Sequence, residues 1–480
     1  MKRWDAPLLA LLFCASSVPV AAAEDFRSFK NATGQEIRAR FEGMAGDLVK
    51  LRREDGKVFE LTKDKLSAAD QTYVLEAATR AGGESTALNT AAGHPVVTAE
   101  PLASRKAEEM ASSLKLRPES QSKYGKSWRL YAAYAKDYRL FGAMPYSVAL
   151  YSDEQGLVTG VSAVYSNKGD TGSKAGMGAD HFKGGTTATE DALKEAMVQD
   201  EQTVSKALSS VLGVPKEQRF GEGKTRRKIL RWDWNGHSFL LSNEEGEYVG
   251  LSIVSTETAD AGGKSLRMRD EDLKKRLTDG VKKDPNGDVY ITQIPMVDQG
   301  PKGYCVPATF ERAMRTMGMD ADMYLLAMVG QSGIGGGTVV EYLLEGIRSQ
   351  VYSKGRRPKD EDVKDLKIRD IKRYIDQGVP VMWTMCSMDA YNEQADKNTE
   401  KRKSVTDWTA YAAEIAADTA SFAAKEKPED NRHICMIIGY NEKTNELAVS
   451  DSWGARFELR WVPLPVANWA NAGHLFMILP

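Results

Sequence analysis

Cysteine is scarce in this chain: Cys14, Cys305, Cys386 and Cys435 are the only four in 480 residues. A basic excess is missing too. The net charge of -2 and a pI near 6.3 offer nothing to offset phosphate charge, so no nucleic-acid partner is expected. After the first residues no run approaches roughly 18 consecutive apolar positions, which argues against a transmembrane anchor. Histidines at metal-ligand spacing are lacking as well. His181 and His237 have no such neighbours, so a surface or core role is expected for each, with no metal and no cofactor. The glycine-rich stretch Gly169 to Gly185 does not lead into a helix with phosphate-cradling spacing and reads as a mobile loop.

Charged residues make up 28% of the chain and hydrophobic ones 42%, close to ordinary soluble globular proteins. At about 150 residues per domain the length points to roughly three units. The N-terminus reads as an export signal: Lys2 and Arg3, an apolar stretch from Ala6 to Val20, then Ala21-Ala22-Ala23 before Glu24. Cleavage is expected after Ala23, giving a secreted or periplasmic protein. Phe13 precedes Cys14 where a lipoprotein signal needs a small residue, so lipid anchoring is not expected. Removing residues 1–23 leaves Cys305, Cys386 and Cys435 in an oxidising compartment. Three thiols cannot all pair within one chain, and a leftover thiol there is a candidate nucleophile.

The expected organisation is multidomain α+β. Residues 24–78 read as a small β-barrel of five strands, with turn signals at Asn31 to Gly34, Gly43 to Gly46 and Asp55-Gly56. This block, from Val49 to Lys57 and on through Leu66-Ser67-Ala68-Ala69-Asp70-Gln71, resembles the Src-homology-3-like homology domain first described in a yeast endocytic adaptor. That resemblance implies a peptide or envelope ligand, with a structural spacer as the alternative. Residues 79–122, rich in Gly, Ala, Ser and Thr, read as a linker with one helix near Ala107 to Leu116. Residues 123–257 alternate strands with a helix over Asp191 to Leu212. A charged linker is expected over 258–287. The last domain occupies 288–480.

The strongest signal lies in that last domain, at Gln299-Gly300-Pro301-Lys302-Gly303-Tyr304-Cys305-Val306-Pro307-Ala308. A turn delivers Cys305 to a helix start, where Pro307 is tolerated because its missing N–H would lack an intrahelical partner anyway. A helix N-terminus and a nearby imidazolium both lower a thiol pKa from about 8.5. Gln299, six residues before Cys305, is close enough to form an oxyanion hole with the Cys305 backbone N–H. Far downstream, His433 opens an apolar strand ending in Gly439-Tyr440. A second strand ends in Asp451-Ser452-Trp453-Gly454. A hairpin of that length brings Asp451 beside His433, where a carboxylate fixes the imidazole tautomer, with Trp453 placed to shield the bond from water.

These pieces, over about Val289 to Pro480, resemble papain-like cysteine peptidases, which order Gln, Cys, His and an Asn-Ser-Trp-Gly turn in this way. They are also similar to the bacterial relatives that cut double-glycine leader peptides, which place Asp third as Asp451 stands here. The resemblance implies a papain-like fold, with the Cys helix packed on an antiparallel sheet bearing His and Asp, and a thiol-dependent endopeptidase acting on a peptide or protein. Cys305 would be nucleophile, His433 base, Asp451 its orienting partner and Gln299 the oxyanion donor. Ile371 to Asp376 reads as a helix and Val379 to Trp383 as the strand beside the His strand. Two departures limit the carry-over: Tyr304 and Val306 flank Cys305 in place of papain's Cys and aromatic residue, and no transporter is fused. Ser387 to Asp430 reads as an insertion placed to overhang the cleft, and His474 as structural. Cys386 and Cys435 read as core residues, with a mutual disulfide as the alternative. The competing functions are amide hydrolysis or acyl transfer on cell-wall or isopeptide bonds, and a non-catalytic envelope binder. The domain over 123–257 precedes the peptidase as inhibitory pro-segments do, so a masked cleft is expected. Because the third residue need only accept one hydrogen bond, Asp451→Asn is expected to keep much of the activity.

Overall fold

The computed structural model describes residues 26–132, 135, 137–171, 189–264 and 266–480. The expected export signal, His181 and the part of the glycine-rich stretch over 172–185 lie outside the described residues.

At the N-terminus, β1 (Arg27–Lys30), β2 (Glu36–Ala45), β3 (Leu48–Arg53) and β4 (Val58–Thr62) form an antiparallel sheet in chain order. Four strands stand where five were expected, with an isolated bridge between Asn31 and Leu66. The alternation of β3 explains its two faces: Val49 and Leu51 are fully buried, whereas Lys50 and Arg52 are not. Phe29, Ala39, Phe41, Leu66, Val74 and Ala77 complete this core.

The stretch expected to be a linker is built into the fold. Its first part belongs to α1 (Ala68–Ala92), capped by Ser67, whose side chain accepts from Asp70 N, and closed by Gly93 at φ 75°. The buried face over Ala81, Leu88 and Ala92 is made of small residues, so hydrophobic periodicity is faint, and Gly82-Gly83 lowers helix propensity further. Packing overrides propensity here, since α1 lies against α3 (Glu190–Leu212). The rest of the stretch supplies α2 (Ala107–Ser113) and the edge strand β5 (Arg117–Ser122).

With β6 (Gly125–Tyr131), β7 (Ser147–Ser152), β8 (Val158–Asn167), β9 (Lys216–Phe220), β10 (Arg227–Trp234), β11 (His237–Glu244) and β12 (Tyr248–Ser255), β5 forms an eight-stranded antiparallel sheet in the order β5-β6-β7-β8-β12-β11-β10-β9. The helix read over Asp191 to Leu212 is α3. Thr189 caps it, Glu190 and Asp191 occupy its first turn, and Leu193, Met197, Val204 and Leu208 are its buried stripe. His237 is fully buried, and burial pushes its pKa down to about 4, so it is a neutral core residue.

The charged segment is no linker either. It contains α4 (Thr256–Asp260), α5 (Asp270–Asp279) and β13 (Val281–Lys283). Leu273 and Leu277 of α5 are buried in the last domain's core, and β13 pairs with β14 (Asp288–Ile291). Charge dominates the composition because only one face of α5 is covered. The last sheet runs β13-β14-β17-β16-β20-β15, with β18 and β19 attached through β17. Its remaining strands are β15 (Arg357–Asp362), β16 (Val381–Cys386), β17 (Arg432–Asn441), β18 (Glu446–Ser450), β19 (Arg460–Pro463) and β20 (Asn471–Leu479). Helices α6 (Cys305–Thr316), α7 (Met323–Val329) and α8 (Val340–Ser353) lie between β14 and β15, α9 (Ile368–Ile375) between β15 and β16, α10 (Asp389–Arg402) and α11 (Trp408–Thr419) between β16 and β17, and α12 (Leu464–Ala470) before β20. Every named strand pairing is antiparallel. Cys386 and Cys435 are both buried and both free thiols. Among the described residues no helix is long and apolar enough to cross a membrane.

Candidate active site

Helix α6 begins at Cys305 itself, with Tyr304 as its cap and Pro307 inside the first turn. The N–H groups of a first turn have no intrahelical partner, so they concentrate positive potential on the thiol. Two ties set the helix against the sheet. Thr309 Oγ1 donates to Ile434 O at 3.3 Å, and the fully buried Arg312 donates from Nη2 to Ser450 Oγ at 2.6 Å and from Nε to Pro295 O at 3.0 Å. These bonds join α6 to β17 and β18, the strands that lead to His433 and Asp451.

His433 is the second residue of β17 and pairs across the sheet with Met385. Asp451 follows the last residue of β18. The β17–β18 hairpin brings them together: His433 Nε2 donates to Asp451 Oδ1 at 2.8 Å. Trp453 stacks on the imidazole with ring centroids 4.6 Å apart and planes 26° apart. With Nε2 committed to Asp451, the other ring nitrogen remains to act on the Cys305 thiol, whose pKa the imidazole lowers below its ordinary value. The thiol is half-buried and His433 is 9% exposed.

The electrostatics follow from that contact. Burial pushes the Cys305 thiol up, but the hydrogen bond and charge of His433, with the backbone around Ile434 and Val306, outweigh it and hold the thiol below its ordinary value. Burial opposes the His433 cation, yet Asp451 and Cys305 together raise it to about 9. Burial also disfavours the Asp451 carboxylate, and His433 and Arg460 reverse that, keeping it below the usual carboxylate range. The two shifts are opposite in sign, and each favours the charged form of its own group.

Gln299, 7% exposed, is tied to Ser452, the residue after Asp451. Its Oε1 accepts from Ser452 Oγ at 2.8 Å, and its backbone N–H donates to Ser452 O at 2.8 Å. Gln299 Nε2 donates to Lys302 O at 2.9 Å. One of the two amide hydrogens is thereby used. The four residues expected from sequence are thus brought into one cluster.

Sequence reasoning missed Arg460. Its Nη2 donates to Asp451 Oδ2 at 2.6 Å, and its Nη1 contacts Asn392 Oδ1 at 3.1 Å and Asp396 Oδ1 at 3.3 Å on α10. A charge inside the apolar stretch Leu459-Arg460-Trp461-Val462 is the signal that was available, because a buried charge needs a partner. Within the insertion, α10 packs on β19 and reaches the site through Arg460. His474, at Nδ1, meets Asp362 at 2.8 Å on the far strands. A cavity of about 690 Å³ faces the eight-stranded sheet, lined by Ser162, Ser252, Tyr248, Arg227 and Arg315, and includes none of the four cluster residues. Among the described residues no group of His, Cys, Asp and Glu is arranged to hold a metal ion.

Residues 291–474 match the Peptidase_C39 like family. No curated protein matches the chain. Among solved structures, the peptidase domain of Streptococcus ComA, a bifunctional ABC transporter involved in quorum sensing, is similar to 38% of this chain over 97% of its own length, at 12% identity and a TM-score of 0.25. The family match indicates a cysteine peptidase, which is a hydrolase, and implies a peptide substrate.

Proposed function

We propose that the chain is an exported endopeptidase that hydrolyses peptide bonds through Cys305, His433 and Asp451, with Gln299 as oxyanion donor. The observation that carries this reading is the half-buried thiol at the first residue of α6, lowered below its ordinary pKa by an imidazole whose Nε2 is held 2.8 Å from a buried carboxylate. The Cys305 thiolate attacks the scissile carbonyl carbon, and negative charge develops on its oxygen near the Gln299 amide and the Cys305 N–H. His433 gives its proton to the leaving amine as the C–N bond breaks, forming a thioester. It then takes a proton from water, which attacks the thioester and releases the acid and the thiolate. Export rests on Lys2, Arg3 and the apolar stretch that follows them.

Digestion of a peptide library by the wild-type and Cys305→Ala chains tests the reading. Cleavage is expected only in the wild type, together with labelling of Cys305 by a thiol-directed epoxide. Turnover above about a tenth of wild type in Cys305→Ala would sink it, since loss of an attacking nucleophile costs several orders of magnitude. Release of acyl groups from isopeptide-linked or cell-wall substrates, with library peptides left intact, would replace peptidase by amidase.

A further inference from the structure

The loop from Gln299 to Cys305 is gripped from outside its own domain. Lys302, at its middle, has a fully buried side chain whose Nζ lies 3.3 Å from Asp170 Oδ2, itself fully buried. Asp170 follows β8 of the eight-stranded domain and is fastened there, accepting from Asn167 Nδ2 at 2.9 Å and donating its N–H to Asn167 Oδ1 at 2.9 Å. Three rings surround the ammonium group: Tyr131 at 4.7 Å, Tyr324 at 5.0 Å and Tyr304 at 5.5 Å. Hydrophobic residues of similar volume often stabilise as much as a buried ion pair does, because desolvation offsets the attraction between the charges. Stability alone therefore does not account for this pair, whereas a fixed position for the loop does.

Further bonds from the same domain act on the same loop. Tyr131 Oη donates to Asp298 O, and Asp298 N donates to Glu119 Oε1 at 2.9 Å. Gly335 N donates to Lys168 O at 3.0 Å while Gly335 O accepts from Gly303 N at 3.1 Å. The contact surfaces leave no space for side chains at two points. Gly300 has φ 69°, and a Cβ there would stand 2.8 Å from the Tyr131 ring; one on Gly169 would stand 2.3 Å from the Tyr304 ring. Tyr131, Val164 and Tyr248 share a buried cluster with Tyr304 and Ala308 on either side of Cys305. Lys302, in turn, offers Gln299 Nε2 the carbonyl that orients its amide.

We propose that Asp170 and Tyr131 of the eight-stranded domain are positioning residues for the hydrolysis. They hold the Lys302 and Asp298 backbone so that the Gln299 amide faces the developing oxyanion. The inference rests on the Cys305 peptidase reading and reverses the expectation of a masking segment, since the domain becomes part of the catalytic unit. Gln299 acts on charge that appears only in the transition state, so its misplacement lowers kcat and leaves KM nearly unchanged. Alkylation of Cys305 by iodoacetamide builds no such oxyanion and depends on His433 instead.

The test uses the full chain with Asp170→Asn, Lys302→Met, the double variant and Tyr131→Phe, measuring kcat, KM, Tm and the pH dependence of Cys305 alkylation. Each single change at the ion pair leaves one buried charge without its partner, whereas the double variant removes both. Expected is recovery of Tm in the double variant with kcat still at least about tenfold down, KM within about twofold and alkylation unchanged. Tyr131→Phe, which keeps the ring, is expected to lose several-fold in kcat alone. A double variant whose kcat recovers along with its Tm makes the pair purely structural and overturns the proposal, as does a wild-type kcat in Tyr131→Phe. Alkylation that falls in step with kcat overturns it too. A wild-type chain that cleaves no peptide overturns the peptidase reading first, and this proposal with it.

Discussion

Arg460 Nη2 donates to Asp451 Oδ2 at 2.6 Å, on the carboxylate oxygen that His433 leaves free. Both oxygens of Asp451 are therefore committed to donors, one an imidazole and the other a guanidinium.

This changes what Asp451→Asn should do. An amide oxygen facing His433 Nε2 turns its NH₂ toward Arg460, two donors meet, and the guanidinium loses its buried carboxylate. Asp451→Asn is expected to lose at least about tenfold in kcat/KM, a barrier increase of about 1.4 kcal/mol, in contrast to the mild effect expected from sequence. Adding Arg460→Met should recover part of that loss. A double variant no better than Asp451→Asn would show that the carboxylate charge on His433, and not the clash with Arg460, is what matters.

Opposite shifts in the reacting pair set the pH behaviour. The Cys305 thiol is held below its ordinary value, so thiolate is present above that lowered pKa; His433 is raised to about 9, so imidazolium persists below that pH. Hydrolysis should follow a bell whose alkaline limb falls near pH 9, whereas alkylation of Cys305 should rise once and stay high. In Cys305→Ala the imidazole loses one of the contacts that raise it, and NMR titration should find the His433 pKa lower than in the wild type. An unchanged value would mean that the thiolate contributes nothing to the imidazolium.

Ser452 holds the carbonyl end of the Gln299 amide at 2.8 Å. Gln299→Ala removes the proposed oxyanion donor and should cost about 10²-fold or more in kcat. Ser452→Ala leaves the donor but frees its rotation, so a smaller loss is expected, again with KM little changed. Steady-state kinetics of both variants and of their combination checks this, because additive losses would mean that the two residues act separately.

Leu277, on the segment that reads as a charged linker, is 3% exposed in the last domain's core. Leu277→Ala should destabilise the chain by about 2–5 kcal/mol, as a buried cavity does. Chemical denaturation followed by tryptophan fluorescence measures it. A true linker residue would shift the midpoint by an amount too small to detect.

The order of Gln299, Cys305, His433 and Asp451, and the strand and helix character around them, were legible without coordinates. Each of those signals is local. A helix start is written in Cys305-Val306-Pro307, a hairpin in two apolar runs around a turn, and an amphipathic helix in the spacing from Leu193 to Leu208. Helix α1 was hidden because a face of alanines contacts its neighbours without any strong periodicity, and α5 because charge outside masks two leucines inside. The partner of each buried charge had no local trace. Arg460 meets Asp451 across strands, and Lys302 meets Asp170 across 132 positions of sequence. Local pattern reports which groups carry chemistry and which face of an element is apolar. Which buried charge answers which depends on how the sheets and helices pack, because a partner is chosen by distance and desolvation in space.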